Sequence, residues 1–258
     1  MADNNINPID IKQYSDNYIN EQQNEGTFER ILMKARRKQI YASYTRHNPK
    51  NILEIGCGIE PFFLNCDSFS NYVIIEPSEE LAKNAKSLSH NKGNITIINS
   101  YLNQMDLNFL LSLKFDLIII SSVLHLIPNL QEFLKNLYHI CTPQTIIHIN
   151  VPNNNSFHRL LAYEMGLISD PAEKSARELK FQRLHSFNKK ILFNLLQENN
   201  FQVLMFETYF VKLFSNDQMG KLLEYNIVDK SVIEGLDKMI KYMPDLGCEM
   251  YIEAKIKC

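Results

Sequence analysis

The residues best suited to chemistry crowd into one turn, Glu54-Ile55-Gly56-Cys57-Gly58-Ile59-Glu60. Two glycines one residue apart, leaving an apolar β-branched run, let a ligand press against backbone that Cβ atoms would block. A dinucleotide fingerprint needs G-x-G-x-x-G, but counted from Gly56 its last position is Pro61. A P-loop fails as well, because no Gly-Lys-Ser/Thr follows. Eighteen residues past Gly58, Glu76 closes V-I-I-E-P. A carboxylate there accepts hydrogen bonds from both hydroxyls of a ribose. The bland alternative is a buried turn and a solvated strand-end Glu; the combined signature favours an adenosine-bearing cofactor.

This acidic-x-Gly-x-Gly turn resembles that of class I S-adenosylmethionine (SAM)-dependent methyltransferases. The resemblance implies a cofactor site built from Glu54, Gly56, Cys57 and Gly58 in the turn and from Glu76 and Pro77 after the second strand. It adds Ser100 and Tyr101 after the third, where the family contacts adenine, and Ser121 and Ser122 after the fourth, where cofactor and substrate pockets meet. S-adenosylhomocysteine (SAH) would be the product. Two departures stand out. The family's usual Asp is absent from Asn99-Ser100-Tyr101, and Glu60 replaces a third glycine. Pro61 then opens a new turn, which should alter contacts near the methionine end. The segments V-P-N-N-N-S-F-H-R-L-L-A-Y-E-M-G-L-I and Y-F-V-K-L-F-S-N-D-Q-M look like a bacterial subgroup associated with small-molecule and surface-polysaccharide modification, including phosphoramidate groups on capsules.

A sulfonium methyl is already electrophilic, so the protein's task is to align an acceptor lone pair behind it and exclude water. A hydroxyl acceptor gains from a general base, and histidine suits that work near neutral pH. His125, beyond the fourth strand, His158, at a helix start after the fifth, and His185, in a loop, are the candidates. Each also has a structural reading as a histidine that bonds backbone or neighbouring side chains. An anionic acceptor would need cationic positioning instead. Arg159 and Lys212 are placed to supply it, and the Arg36–Arg37 pair poses the same question. The basic run Arg30–Lys38 reads first as a solvated helix face. Tyr14 and Tyr18, four residues apart, could cap the cofactor as an N-terminal lid or simply pack their helix. No H-x-x-x-H or H-E-x-x-H spacing occurs, so no metal site is expected.

These groups must be held by a sheet. Asn51–Gly56, Tyr72–Pro77, Ile95–Asn99, Phe115–Ser121 and Thr145–Pro152 read as strands. Most are continuously apolar, as central strands covered on both faces are. Helical patterns alternate with them, so the expected fold is α/β, a Rossmann-like, doubly wound, mostly parallel sheet. Phe201–Phe210 and Gly247–Ile256 would add edge strands. Residues 1–50 form an N-terminal helical lid segment and 51–258 the catalytic domain, with helical insertions at about 153–188 and 215–243 after strands five and six. The second insertion lines an acceptor pocket or forms a homodimer contact.

The 258 residues carry 27 Lys+Arg against 29 Asp+Glu, so the footprint of a general nucleic-acid binder is missing. Five cysteines without a C-x-x-C read as reduced, buried thiols. The polar N-terminus lacks signal-peptide character and no apolar run approaches a bilayer span, so a cytoplasmic protein without membrane insertion is expected. The expected activity is methyl transfer to a small-molecule acceptor, nucleotide-linked or phosphorylated, with oxygen favoured. N-methylation of an amino sugar or metabolite, and a non-catalytic SAM-binding protein, are the alternatives.

Overall fold

The computed structural model describes residues 9–23, 27–90 and 92–257. The first eight residues and Cys258, on which part of the sequence reading falls, lie outside them. Two helices, α1 (Ile11–Gln23) and α2 (Phe28–His47), precede β1 (Asn51–Ile55). The chain continues through β2 (Asn71–Ile75), α3 (Glu79–Leu88), β3 (Ile95–Ile98), α4 (Leu107–Ser112), β4 (Leu117–Ser121), α5 (Leu130–Ile140) and β5 (Ile146–Pro152). Helices α6 (Phe157–Glu164), α7 (Ala176–Lys180) and α8 (Lys189–Glu198) lead to β6 (Phe201–Tyr209). Finally α9 (Asn216–Glu224) and α10 (Lys230–Lys238) lead to β7 (Glu249–Ile256).

The seven strands form one sheet in the order β3-β2-β1-β4-β5-β7-β6, with the first five parallel and β7 antiparallel to both its neighbours. The β1–β2–β3 run winds one way and β4–β5 the other, so the topological switch lies between β1 and β4, where open α/β sheets bind ligands. This is the doubly wound, Rossmann-like sheet that the apolar runs imply. One strand differs from expectation. The run before the C-terminus is not an edge: β7 lies between β5 and β6, almost wholly buried, and only β6 is an edge at that end.

Alternate strand residues feed two cores. Leu53, Ile55, Ile118, Ile120, Ile147 and Ile149 pack against α5 and α8, while Ile52, Ile74 and Ile119 pack against α2 and the segment around Phe62–Phe63. The α5 stripe is Phe133, Leu134, Leu137 and Ile140, while Tyr138 beside it is 37% exposed. Burial of each such side chain contributes about 1.5–3 kcal/mol, which outweighs the modest β propensity of any one residue. A third cluster joins α2, α9 and α10 to the last two strands through Phe28, Leu32, Phe210, Met219 and Tyr251. Helix α6 stops four residues before its apolar pattern does, because Gly166 adopts φ 70° and its N–H bonds to the Tyr163 carbonyl.

The basic run of α2 is a solvated face only in part, at Lys34 and Lys38. Arg36 is buried and joins α2 to β7, with Nη1 donating to Glu29 Oε1 at 2.6 Å and Nη2 to Glu249 Oε1 at 2.7 Å. Burial alone would push Glu29 up, but Arg36 and Arg177 outweigh it and hold the carboxyl at about 2. Arg37 bonds Asn65 and the Glu60 carbonyl, whereas Lys38 pairs with Asp237 on the surface. Among the described residues no helix is long and apolar enough to cross a membrane.

Candidate active site

The turn after β1 is forced by its glycines. Gly56 and Gly58 have φ 75° and 60°, in the left-handed region that side chains resist. A Cβ on Gly56 would lie 2.5 Å from Val123 Cγ2, and one on Gly58 would lie 2.7 Å from the Tyr18 hydroxyl. The bare backbone is therefore pressed between the loop after β4 and the helix α1. Pro61 starts a single 3₁₀ turn, Phe62–Asn65, as the Glu-Pro departure suggests. The Phe62 N–H donates to both oxygens of Glu54 at 3.1 Å and the Tyr72 hydroxyl donates to Glu54 Oε2 at 2.8 Å. Burial pushes Glu54 up to about 7 despite these donors.

Glu76, at the end of β2, folds back on the same turn. Its Oε2 accepts from the Cys57 N–H and its Oε1 from the Ser78 N–H, both at 2.9 Å. Burial raises its pKa against the pull of these donors. The Asn99 side chain ties the end of β3 to the Glu76 and Pro77 carbonyls at 2.8 and 3.0 Å. Ser122 follows β4 at φ 59°, a strained position for a serine, and its hydroxyl is buried without a partner.

A cavity of about 510 Å³ opens above these strand ends, within the size range of small-molecule sites. It brings together Glu54, Gly56, Cys57, Gly58, Glu76, Pro77, Ser100, Tyr101, Ser121 and Ser122, with Tyr14 and Tyr18 of α1 on its wall. The two tyrosine rings stack 6.1 Å apart, and α1 is held down by Glu21 pairing with Arg177 and by Gln182 bonding Asp10. Burial and the neighbouring Glu76 push the Tyr14 hydroxyl up to about 12, so it remains a hydrogen-bond donor. The glycine backbone left open by the missing Cβ atoms, the strand-end carboxylate and the cavity's size all fit an adenosine-bearing cofactor. The cavity is also bordered by Asn103, Gln104, Ile127 and Phe133, which sequence reasoning did not single out. Their only signal is position, after β3 and β4.

A second cavity of about 440 Å³ lies on the other side of Arg36, which borders both. It collects His158, Arg159 and Lys212, together with Arg177 and Arg183. His158 accepts or donates at Nδ1 to Ser156 Oγ, 3.0 Å away. Burial, then Lys212 and Arg159, hold its pKa well below the usual histidine value, so it is neutral at pH 7. Arg159 Nη1 reaches Glu178 Oε2 at 3.0 Å.

His125 and His185 border neither cavity. His125 is buried, its carbonyl accepts the N–H groups of Leu184 and His185, and its Nδ1 has no partner. Burial and the nearby Arg183 and Arg36 depress its pKa strongly. His185 donates from Nε2 to the Ile127 carbonyl at 2.8 Å. The two residues thus clasp the loop after β4 to the segment before α8. No group of three or more His, Cys, Asp or Glu positioned for a metal occurs among the described residues.

Comparison with solved structures finds the same fold. The plantazolicin methyltransferase BpumL in complex with SAH is 19% identical, with a TM-score of 0.56 over 95% of this chain and 90% of that one. The N-methyltransferase NodS from Bradyrhizobium japonicum WM9 with SAH is 11% identical, with a TM-score of 0.57 over 95% and 100%. The StiE O-MT is 13% identical, with a TM-score of 0.51 over 87% and 74%. A comparison with curated protein sequences finds no match. Residues 27–205 match the sequence family described as "Methyltransferase domain", a span that holds the glycine turn, Glu76 and both loops beyond β3 and β4. The chain belongs to this methyltransferase family.

Proposed function

We propose that the protein transfers the methyl group of SAM to an oxygen of a small-molecule acceptor. The observation that carries this reading is the pair of cavities meeting at Arg36. One is lined by the glycine turn and Glu76, the other by a group of buried cations. SAM would supply a methyl already activated on a sulfonium. On the protein side, Glu76 would hold the ribose hydroxyls, Gly56 and Gly58 would let the cofactor lie against backbone, and Tyr14 and Tyr18 would shut out water from above. Ser100 and Tyr101 would flank the base, and Ser121 and Ser122 would line the same cavity beyond β4.

Arg159 and Lys212 would position the acceptor in the second cavity. His158, neutral and on that cavity's wall, would take the proton from a hydroxyl acceptor. His125 and His185 would act on the chemistry by fixing the loop after β4, part of which borders the first cavity. The sequence resemblance supports a sugar or phosphoryl acceptor in surface-polysaccharide synthesis, inside the cell. NodS, named as an N-methyltransferase, keeps an amine acceptor as the second reading. The buried cations weigh against it, because an incoming ammonium would be repelled.

The test uses methyl-labelled SAM with a panel of hydroxylic, phosphorylated and amino acceptors, and follows SAH release and label transfer. Transfer to hydroxylic or phosphorylated compounds supports the proposal. Binding of SAH without transfer to any acceptor would identify a non-catalytic SAM-binding protein. Thermal stabilisation by NAD with none by SAM would reject the cofactor assignment.

A further inference from the structure

Lys212 lies just beyond β6 with 7% of its surface exposed, on the wall of the second cavity. Among the described residues its ammonium makes one hydrogen bond, to Asn216 Oδ1 at 2.7 Å, and no ion pair with a carboxylate. Glu29 is reached only through that amide, whose Nδ2 donates to Glu29 Oε2 at 2.9 Å. Burial lowers the lysine's pKa, and Cys248, Glu29 and Glu249 oppose that fall without cancelling it.

Arg183 on the same wall is little better served. Its Nη1 is 3.9 Å from Glu178 Oε1, and its Nε is buried without a partner. Glu178 is already engaged by Arg159 and by both donors of Ser175. Asn154, 4% exposed and also on this wall, has a side-chain nitrogen with no partner. The arginines beside them differ, because Arg36 has Glu29 and Glu249 and Arg177 has Glu21 and Glu29. A cation held out of water is costly when it has no counter-charge, as Lys212, or only a distant and shared one, as Arg183, so a cavity keeping both is complementary to an anion. The wall also carries Glu29, Glu178, Asp217 and Glu249, and one part of it is apolar. Leu161, Leu167, Ile168 and Phe214 border the same space, with Leu167 66% and Phe214 38% exposed.

We propose that the second cavity seats an acceptor that is anionic at one end and apolar along its body, with the carboxylate or phosphoryl group held at Lys212 and Arg183 and the body against Leu161, Leu167, Ile168 and Phe214. This rests on reading the cavity as the acceptor side of a methyltransferase, and it narrows the substrate class. The anionic end is an anchor that fixes the distance from the charge to the methylated atom.

The full-length protein, with and without saturating SAH, is titrated with phenyl phosphate, benzoate, inorganic phosphate and the neutral benzyl alcohol. Phenyl phosphate or benzoate is expected to bind at least tenfold more tightly than benzyl alcohol, and the tighter of the two identifies the anionic group. It is also expected to exceed inorganic phosphate. Lys212→Met should abolish that tenfold advantage while leaving SAH affinity unchanged. If Lys212→Met also loses SAH binding, Arg183→Gln decides, with SAH binding retained and anion binding weakened severalfold. Equal binding of benzyl alcohol, or anion binding unchanged in whichever variant retains SAH, overturns the anionic anchor. Inorganic phosphate matching phenyl phosphate overturns the apolar body. Failure of the unmodified protein to bind SAH counts against the cofactor assignment instead, and the titration without SAH still reads the anion site.

Discussion

Glu29 is one carboxylate shared by two arginines, and its removal has a calculable consequence. Its Oε1 accepts from Arg36 at 2.6 Å, while its Oε2 accepts from Arg177 at 3.0 Å and Asn216 at 2.9 Å. A carboxyl held at about 2 rather than 4.5 contributes about 3 kcal/mol to stability, since each pKa unit is worth about 1.4 kcal/mol. Because the folded-state pKa is the lower one, the contribution is complete above pH 4.5 and is lost as pH falls toward 2. At pH 3 about 1.4 kcal/mol of it remains. Glu29→Gln keeps the shape and removes the charge. It is expected to cost about 3 kcal/mol at pH 7, the low end for breaking a buried pair, because both arginines keep a second carboxylate. At pH 3 the difference from the unmodified protein should shrink to about 1–1.5 kcal/mol. Urea unfolding at both pH values, read by circular dichroism because the chain has no tryptophan, measures it. A loss below about 0.5 kcal/mol at pH 7, the scale of an ordinary surface change, would refute the reasoning. So would the same loss at both pH values.

Four other outcomes follow from the site. Gly56→Ala should weaken SAH binding at least tenfold in a calorimetric titration, because a left-handed φ costs about 1–2 kcal/mol and Val123 obstructs the new Cβ. Gly58→Ala should be partly rescued by Tyr18→Ala, since its obstruction is the end of one flexible side chain. Glu76→Gln should reduce SAH affinity about ten- to hundredfold, the loss of hydrogen bonds to a charged acceptor worth about 1.5–3 kcal/mol. NMR titration of the imidazole protons should find His158 still neutral at pH 6, because burial and two cations hold its pKa down. A midpoint near 6.5 would remove that electrostatic picture.

The first cavity was legible because its determinants are local. The Gly56–Gly58 turn, Glu76 and Ser121–Ser122 each end an apolar strand, and the doubly wound topology gathers strand ends at one place. The burial of Arg36 was not legible. One partner is seven residues away on the same helix but the other, Glu249, lies 213 positions along the chain, so the basic run looks like any solvated face. The internal place of β7 was hidden for a similar reason. An antiparallel strand that returns between two others has the same apolar pattern as one added at the edge. His125 follows β4 as the sequence suggests, yet its place in a 3₁₀ turn buries the ring away from both cavities. Direction of a side chain beyond a strand end depends on the loop, and no periodicity encodes it.

The return of β7 beside β6 has an evolutionary consequence. Tyr209 and Glu249 are directly paired, so the chain departs and comes back at a single rung of the sheet. Gly247 sits at the return, where a Cβ would strike the Tyr209 backbone, and the Cys248 N–H closes the gap on the Phe210 carbonyl at 2.8 Å. Everything from 210 to 248, including Lys212, Phe214, α9 and α10, is thereby a closed excursion, and it begins after the family match ends at residue 205. Such an excursion can be lengthened, shortened or exchanged with little disturbance to the parallel strands. Recombination at that rung would give one methyltransferase scaffold a different second cavity, and, with that cavity proposed as the acceptor's seat, a chimera carrying another chain's excursion is expected to inherit part of that chain's choice of acceptor.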